Sequence, residues 1–203
     1  MPKPFQPSGH PERESARLPY FDYTAARAYF ITLCVLGRRC LFGRVTEARN
    51  DLSPLGKLVD SEWAAVATHR PGISLICHVV MPNHFHAIVR LPERQKANRT
   101  NVDQPRKFAP LATGSLSAVV GVFKSVVTRK AREQGLTRPK QKLWQPRFYD
   151  RVIRTSEEFA RIDRYIADNP LNWSRDRENE SRTGENDFYR WLDSLGKDDD
   201  TGG

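Results

Sequence analysis

The stretch that most limits the architecture is ISLICHVVMPNHFHAIVRL, residues 73–91. Two runs with strand-type residues flank a Pro82-Asn83 break that leaves room only for a tight turn. Strands joined so closely must lie side by side and antiparallel, because a parallel pair needs a crossover of about a dozen residues or more. The chain is therefore built around an antiparallel hairpin. In the second run His84 and His86 stand two residues apart. On a strand both imidazoles then leave one face, and Phe85 leaves the other.

The remaining segments supply partners for that hairpin. A strand is expected at about 28–36, in the run RAYFITLCV, and LGRRCLFGRV, residues 36–45, reads as a turn with a short return strand. Residues 53–72 read as a helix: Ser53 caps it, Pro54 fits its first turn, and Arg70-Pro71-Gly72 closes it. Leu55, Leu58, Val59, Trp63 and Val66 share one helical face. A second helix is expected over 115–134, with Leu116, Val119, Val120, Phe123 and Val127 inward. A strand follows at 148–154, then a helix that Thr155 and Glu158 start with capping-box spacing and Pro170 stops. The order β, α, β, β, α, β, α predicts an α+β domain: one antiparallel sheet with helices on one face.

Around this domain, residues 1–18 are polar and Pro-rich and are expected to be disordered. Residues 92–112 read as a long polar, basic loop. Residues 179–203 read as a polar acidic tail in which Phe188–Leu192 form one short docking helix. No run of about 18 apolar residues exists, so no membrane span is expected. Nothing resembles a secretion signal, and three cysteines without a CxxC pair fit a reducing cytoplasm.

Charge fits a polyanionic partner and a merely soluble basic protein equally well. The chain carries +9, yet residues 176–203 contribute −5, which leaves +14 on the preceding residues. Nucleic acid is the commonest ligand of so basic a surface. Lys124, Arg129, Lys130, Arg147, Arg151 and Arg154 are candidate phosphate contacts. Trp144, Phe148 and Tyr149 are candidate stacking platforms for unpaired bases.

Two imidazoles on a rigid strand can hold one divalent ion, but two ligands leave a metal site incomplete. The chain has no HExxH, so a further ligand must come from a distant segment. The last helix offers Asp163, Asp168 and Asn169, and Asn169 follows Tyr165 by one turn. His78, on the preceding strand, is a candidate for a supporting role. A phenol is a weak nucleophile at neutral pH, since its unperturbed pKa is about 10. Beside a cation that polarises a phosphate, a tyrosine can attack and become phosphorylated. On spacing alone, Tyr165 reads better as an ordinary position at the edge of the apolar stripe of Phe159, Ile162 and Ile166.

Five segments, taken together, narrow the choice. MPNHFHAIV, AYFITLCVLGRRCLFG, GSLSAVVGVFKSVVTRKARE, LWQPRFYDRVIR and RYIADNPLNW resemble the REP-associated tyrosine transposases, a branch of the single-tyrosine HUH transposases. The resemblance spans about residues 19–178, and the segments stand in the family's order. It implies a ferredoxin-like or RRM-like sheet, and Mg²⁺ or Mn²⁺ held by His84 and His86 with Asn169 as a possible third ligand. It implies Tyr165 as the nucleophile that cuts single-stranded DNA and keeps the 5′ phosphate, with Tyr149 the rival. The implied substrate is palindromic repeat DNA folded as a hairpin, bound by a monomer or homodimer at the bacterial nucleoid. Arg151 departs from the resemblance, standing where relatives commonly carry histidine.

Overall fold

The computed structural model describes residues 28–92 and 115–195. The expected disordered segment 1–18 and nearly all of the expected loop 92–112 lie outside the described residues. Strands β1 (Ala28–Cys34), β4 (Ser74–Val80), β5 (His84–Arg90) and β6 (Tyr149–Ile153) form one antiparallel sheet in the order β4-β5-β1-β6. The hairpin that constrained the sequence is the β4-β5 pair, and β1 seals its other side, with Thr32 opposite His86 and Cys34 opposite His84. Two shorter strands, β2 (Gly43–Thr46) and β3 (Arg49–Leu52), make a separate hairpin. The Arg49–Leu52 strand was not legible, because Arg-Asn-Asp-Leu has neither alternation nor β-branched residues.

Helix α1 (Pro54–His69) begins as expected: the Ser53 hydroxyl accepts from the Gly56 N–H, and Pro54 sits in the first turn. Helix α2 (Leu116–Glu133) is capped by Ser115, and α3 (Ser156–Asp168) by Thr155. Glu158 does not close the capping box on Thr155 itself. One of its carboxylate oxygens accepts from the Arg154 N–H, and the other pairs with Arg151. A fourth helix, α4 (Asp187–Ser194), occupies the expected position of the docking helix.

The sheet is α+β and antiparallel as expected, but its helices cover both faces. Period 2 sends Ile31, Leu33, Phe85, Ala87 and Val89 to one side, where they pack with α1 and α2. Trp63 is wedged there between Phe85 and Phe123, with ring centroids 5.0 and 5.1 Å apart. Phe30 and Ile88 point to the other side and meet Ile162, Tyr165 and Ile166 of α3 and Phe188 and Leu192 of α4. This is why β5 is buried on both faces from His84 to Val89. Helix α4 contributes Phe188 and Leu192 to the second core, so it packs on the sheet together with α3. Among the described residues no helix is long and apolar enough to cross a membrane.

Candidate active site

The face of the sheet under α3 carries His84 and His86, both fully buried. Their rings are adjacent, with centroids 4.4 Å apart. Asn83, the turn residue, sets the orientation of His84. Its amide nitrogen donates to the Arg38 carbonyl at 3.0 Å and the Glu178 carbonyl at 2.7 Å, which spends both N–H groups. Its amide oxygen is then left to accept from His84 Nδ1 at 2.9 Å. With the proton on Nδ1, His84 Nε2 presents a bare lone pair to the interior. His86 is held from both ends, by Thr32 Oγ1 at Nδ1 (2.9 Å) and by the Tyr165 hydroxyl at Nε2 (3.2 Å).

A carboxylate faces this pair. Asp176 is fully buried, and donor atoms of His84, His86 and Asp176 all lie within 4.8 Å of one another. A short 3-10 turn, Trp173–Arg175, carries the chain from α3 to this position. Asp176 Oδ1 accepts from the Glu178 N–H at 2.7 Å, an Asx-type turn that aims Oδ2 at the site. Oδ2 accepts from the Tyr165 hydroxyl and the Asn169 amide nitrogen, each at 2.9 Å. It stands 4.0 Å from His84 Nε2. The Tyr189 hydroxyl of α4 completes the group with a short hydrogen bond to Tyr165. The Tyr165 ring stacks flat on Phe188, with centroids 3.7 Å apart.

The electrostatics follow from burial. Desolvation holds both imidazoles below their ordinary pKa, His86 the more strongly because His84 adds to the effect. Both therefore remain neutral, as metal ligation requires. Burial opposes ionisation of Asp176, positive charge on the imidazoles would favour it once they protonate, and the Glu178 N–H and the Asn169 amide favour it through hydrogen bonds, so the shift of its carboxyl is downward. Burial, followed by Tyr189 and Asp176, pushes the Tyr165 phenol well above its ordinary range.

The donor set fits a divalent cation. Two neutral imidazoles and a carboxylate converge, and His84 Nε2 and Asn169 Oδ1 are buried without any hydrogen-bond partner. Unpaired buried acceptors are costly, and an ion held by the triad would satisfy His84 Nε2. Sequence reasoning had named Asn169 and missed Asp176 and Tyr189. Asp176 lies in RDRENE, a charged run with no periodicity, where Glu178 and Asn179 are buried as well, so nothing local marks it as the site carboxylate.

The other expected residues are dispersed. Tyr149, the rival nucleophile, stands at the start of β6, partly exposed, and meets Phe30 edge-on. His78 faces the opposite side of the sheet, against Phe85, and bonds Asp60 at 2.8 Å. Lys124, Arg129 and Lys130 ride on α2, in the layer across the sheet from the site. Lys124 donates to the Gln145 carbonyl, Arg129 pairs with Glu133 and Lys130 with Glu62. Trp144 is buried, its ring tilted against Phe42 and Phe123 with centroids 5.2 and 6.0 Å away. Arg151 is ion-paired with Glu158 in a half-closed setting, whereas Arg147 is exposed. Arg154 follows β6 at the surface, just before the Thr155 cap.

The fold and the site together are thus an α+β sheet with a buried His-His-Asp constellation and an adjoining tyrosine. The chain belongs to the same family as an uncharacterised protein of Haemophilus influenzae, 30% identical over 174 residues that cover 84% of this chain and 94% of that one. Among solved structures, its fold is similar to a REP-associated tyrosine transposase bound to a REP hairpin. That likeness has a TM-score of 0.51 at 20% identity and covers 76% of this chain and 72% of the other. No family model matches the sequence.

Proposed function

We propose that this protein is a metal-dependent endonuclease and strand transferase of the single-tyrosine transposase type, acting on single-stranded DNA that carries hairpin-forming repeats. The observation that carries this reading is the Tyr165 hydroxyl itself. It lies within hydrogen-bond reach of His86 Nε2 and Asp176 Oδ2, the same atoms that would hold the ion. The fold shared with a transposase supports the reading.

His84, His86 and Asp176, with the Asn169 amide oxygen nearby, would hold Mg²⁺ or Mn²⁺. When bound, the ion supplies Lewis-acid stabilisation of charge on the phosphate and on the departing oxygen. The residues of the chain do the rest. Tyr165 is protonated at rest, and Asp176 Oδ2, already its hydrogen-bond acceptor, is in line to take the phenolic proton. Tyr165 Oη attacks the phosphorus, a tyrosine–phosphate bond forms, and the bond to the 3′ oxygen breaks. That oxygen takes up a proton and leaves as a free 3′-OH, and the 5′ phosphate stays on the protein. Asn83 and Thr32 hold the two imidazoles in register throughout. Arg147 and Tyr149, exposed beside the site, are the best placed of the expected DNA contacts.

A second reading, a hairpin-binding protein without cleavage, is favoured by one observation: Tyr165 is only 5% exposed beneath α4. Incubation with labelled single-stranded hairpin DNA and Mn²⁺ or Mg²⁺ separates the two. A covalent adduct that survives SDS is expected, absent in Tyr165→Phe and strongly reduced in His84→Ala and Asp176→Ala. An adduct undiminished in Tyr165→Phe rejects the assigned nucleophile. Tight hairpin binding with no adduct under any metal rejects cleavage in favour of the second reading.

A further inference from the structure

A cleft of about 240 Å³ opens beside the candidate metal centre, at the edge of the sheet where β1 meets β6. It shares its walls with the site. Thr32, which bonds His86, Phe30, which stacks on His86 at 5.3 Å, and Tyr189, which bonds Tyr165, all line it. The cleft is therefore one side chain away from the place where a phosphate would be cut.

Its remaining lining has a definite chemistry. Tyr149 is 41% exposed at the rim, fixed edge-on against Phe30 with centroids 6.1 Å apart, so its ring is positioned but not covered. Arg38 is neutralised by Glu178, and Arg177 is committed to Asp193 and to the face of Tyr189. Arg147, also lining the cleft and exposed, has no ion-pair partner among the described residues. With Arg38 paired to Glu178 and Arg177 to Asp193, Arg147 is the lining cation left to offer its charge to a ligand. An aromatic wall with a cation at its mouth matches one unit of a nucleic acid strand: a flat base to stack and a phosphate to pair. The volume lies below the range of about 300–1,000 Å³ typical of sites for larger ligands, which limits the occupant to about one base.

Resting on the DNA-cleavage reading, we propose that this cleft is a single-nucleotide subsite. It takes one unpaired base of the DNA strand next to the scissile phosphate, stacked on Tyr149, with the adjoining phosphate on Arg147. The site then selects for a strand that can splay a base out, and a fully paired duplex is excluded.

Binding without metal tests this apart from cleavage. A set of single-stranded hairpin oligonucleotides is made, each with one abasic position in the unpaired flank, and affinity is measured by fluorescence anisotropy in EDTA. One abasic position is expected to weaken binding to the wild type about 5–100-fold, as stacking on one ring implies. That same position should have no further effect in Tyr149→Ala, while Tyr149→Trp restores the sensitivity. Arg147→Ala should weaken every oligonucleotide alike and lower the salt dependence by about one phosphate. An abasic penalty that persists in Tyr149→Ala overturns the subsite, even if adducts form normally. Equal binding of all abasic oligonucleotides overturns it too, as does a sensitivity found only with RNA. If no adduct forms but the Tyr149-dependent position is found, the cleavage reading fails and the subsite stands.

Discussion

At the scale of single residues, the site is arranged by Asn83. The two histidines were visible from the sequence because period 2 alone puts them on one face. Their readiness for a metal was not visible, since it depends on which ring nitrogen carries a proton. That is decided by an amide whose donors are both spent on distant carbonyls, those of Arg38 and Glu178. Outer partners of this kind are typically worth about 10–100-fold in metal affinity. Asn83→Ala is accordingly expected to weaken Mn²⁺ binding by that factor in isothermal titration, with far-ultraviolet dichroism little changed. Equal affinity for the variant and the wild type would show that His84 is oriented by something else. Asp176 teaches the complementary lesson. Its neighbours Arg175, Arg177 and Glu178 are equally charged, so no local pattern marks it. Only the turn after α3, which the chain makes to return across the sheet, brings it under Tyr165.

At the scale of elements, most of the fold was legible. Caps and apolar stripes marked α1, α2 and α3 to within three residues, because side-chain spacing and capping chemistry are local properties. The faces on which helices pack are not local. Helix α3 presents Ile162, Tyr165 and Ile166 to the histidine face, opposite α1 and α2, and nothing in its stripe states which face it will cover. The β2-β3 hairpin was missed for a related reason: its two-residue turn uses Glu47 and Ala48 at positive φ, where Asn-Gly would have announced it. That hairpin leads directly into α1, and the junction is tight. A Cβ on Gly56 would lie 2.0 Å from the Phe42 carbonyl oxygen, which is backbone and cannot swing away. In a helix, Gly→Ala ordinarily stabilises by roughly 1 kcal/mol. Here the sign should reverse, with Gly56→Ala lowering stability by at least ~1 kcal/mol in urea unfolding as α1 is pushed off the hairpin. A stabilised variant would mean that helix and hairpin are not in contact as described.

For the whole molecule, the buried histidines tie the stability of the fold to pH. In the unfolded chain His84 and His86 titrate near 6.5. In the folded chain burial holds both lower, so just below 6.5 the unfolded state binds more protons than the folded one. Stability contributed by the neutral pair is therefore fully present above about 6.5. It is lost progressively as the pH falls below that value toward the folded pKa values. Asp176 adds loss only at lower pH: its folded pKa is below its ordinary value, so its contribution is present above about 4 and disappears as it protonates. The measurable consequence is a urea midpoint, without metal, that is level between pH 8 and 7 and declines steadily from pH 6.5 to 5. A double variant, His84→Asn with His86→Asn, is expected to be less stable overall yet to show a flatter decline over that interval. The slope carries the argument, because it counts the protons taken up on unfolding and is independent of any packing lost in the variant. A wild-type midpoint that does not move between pH 7 and 5 would show that the folded chain protonates these imidazoles as readily as water does. In that case the buried, neutral ligand pair on which the metal site depends would not exist.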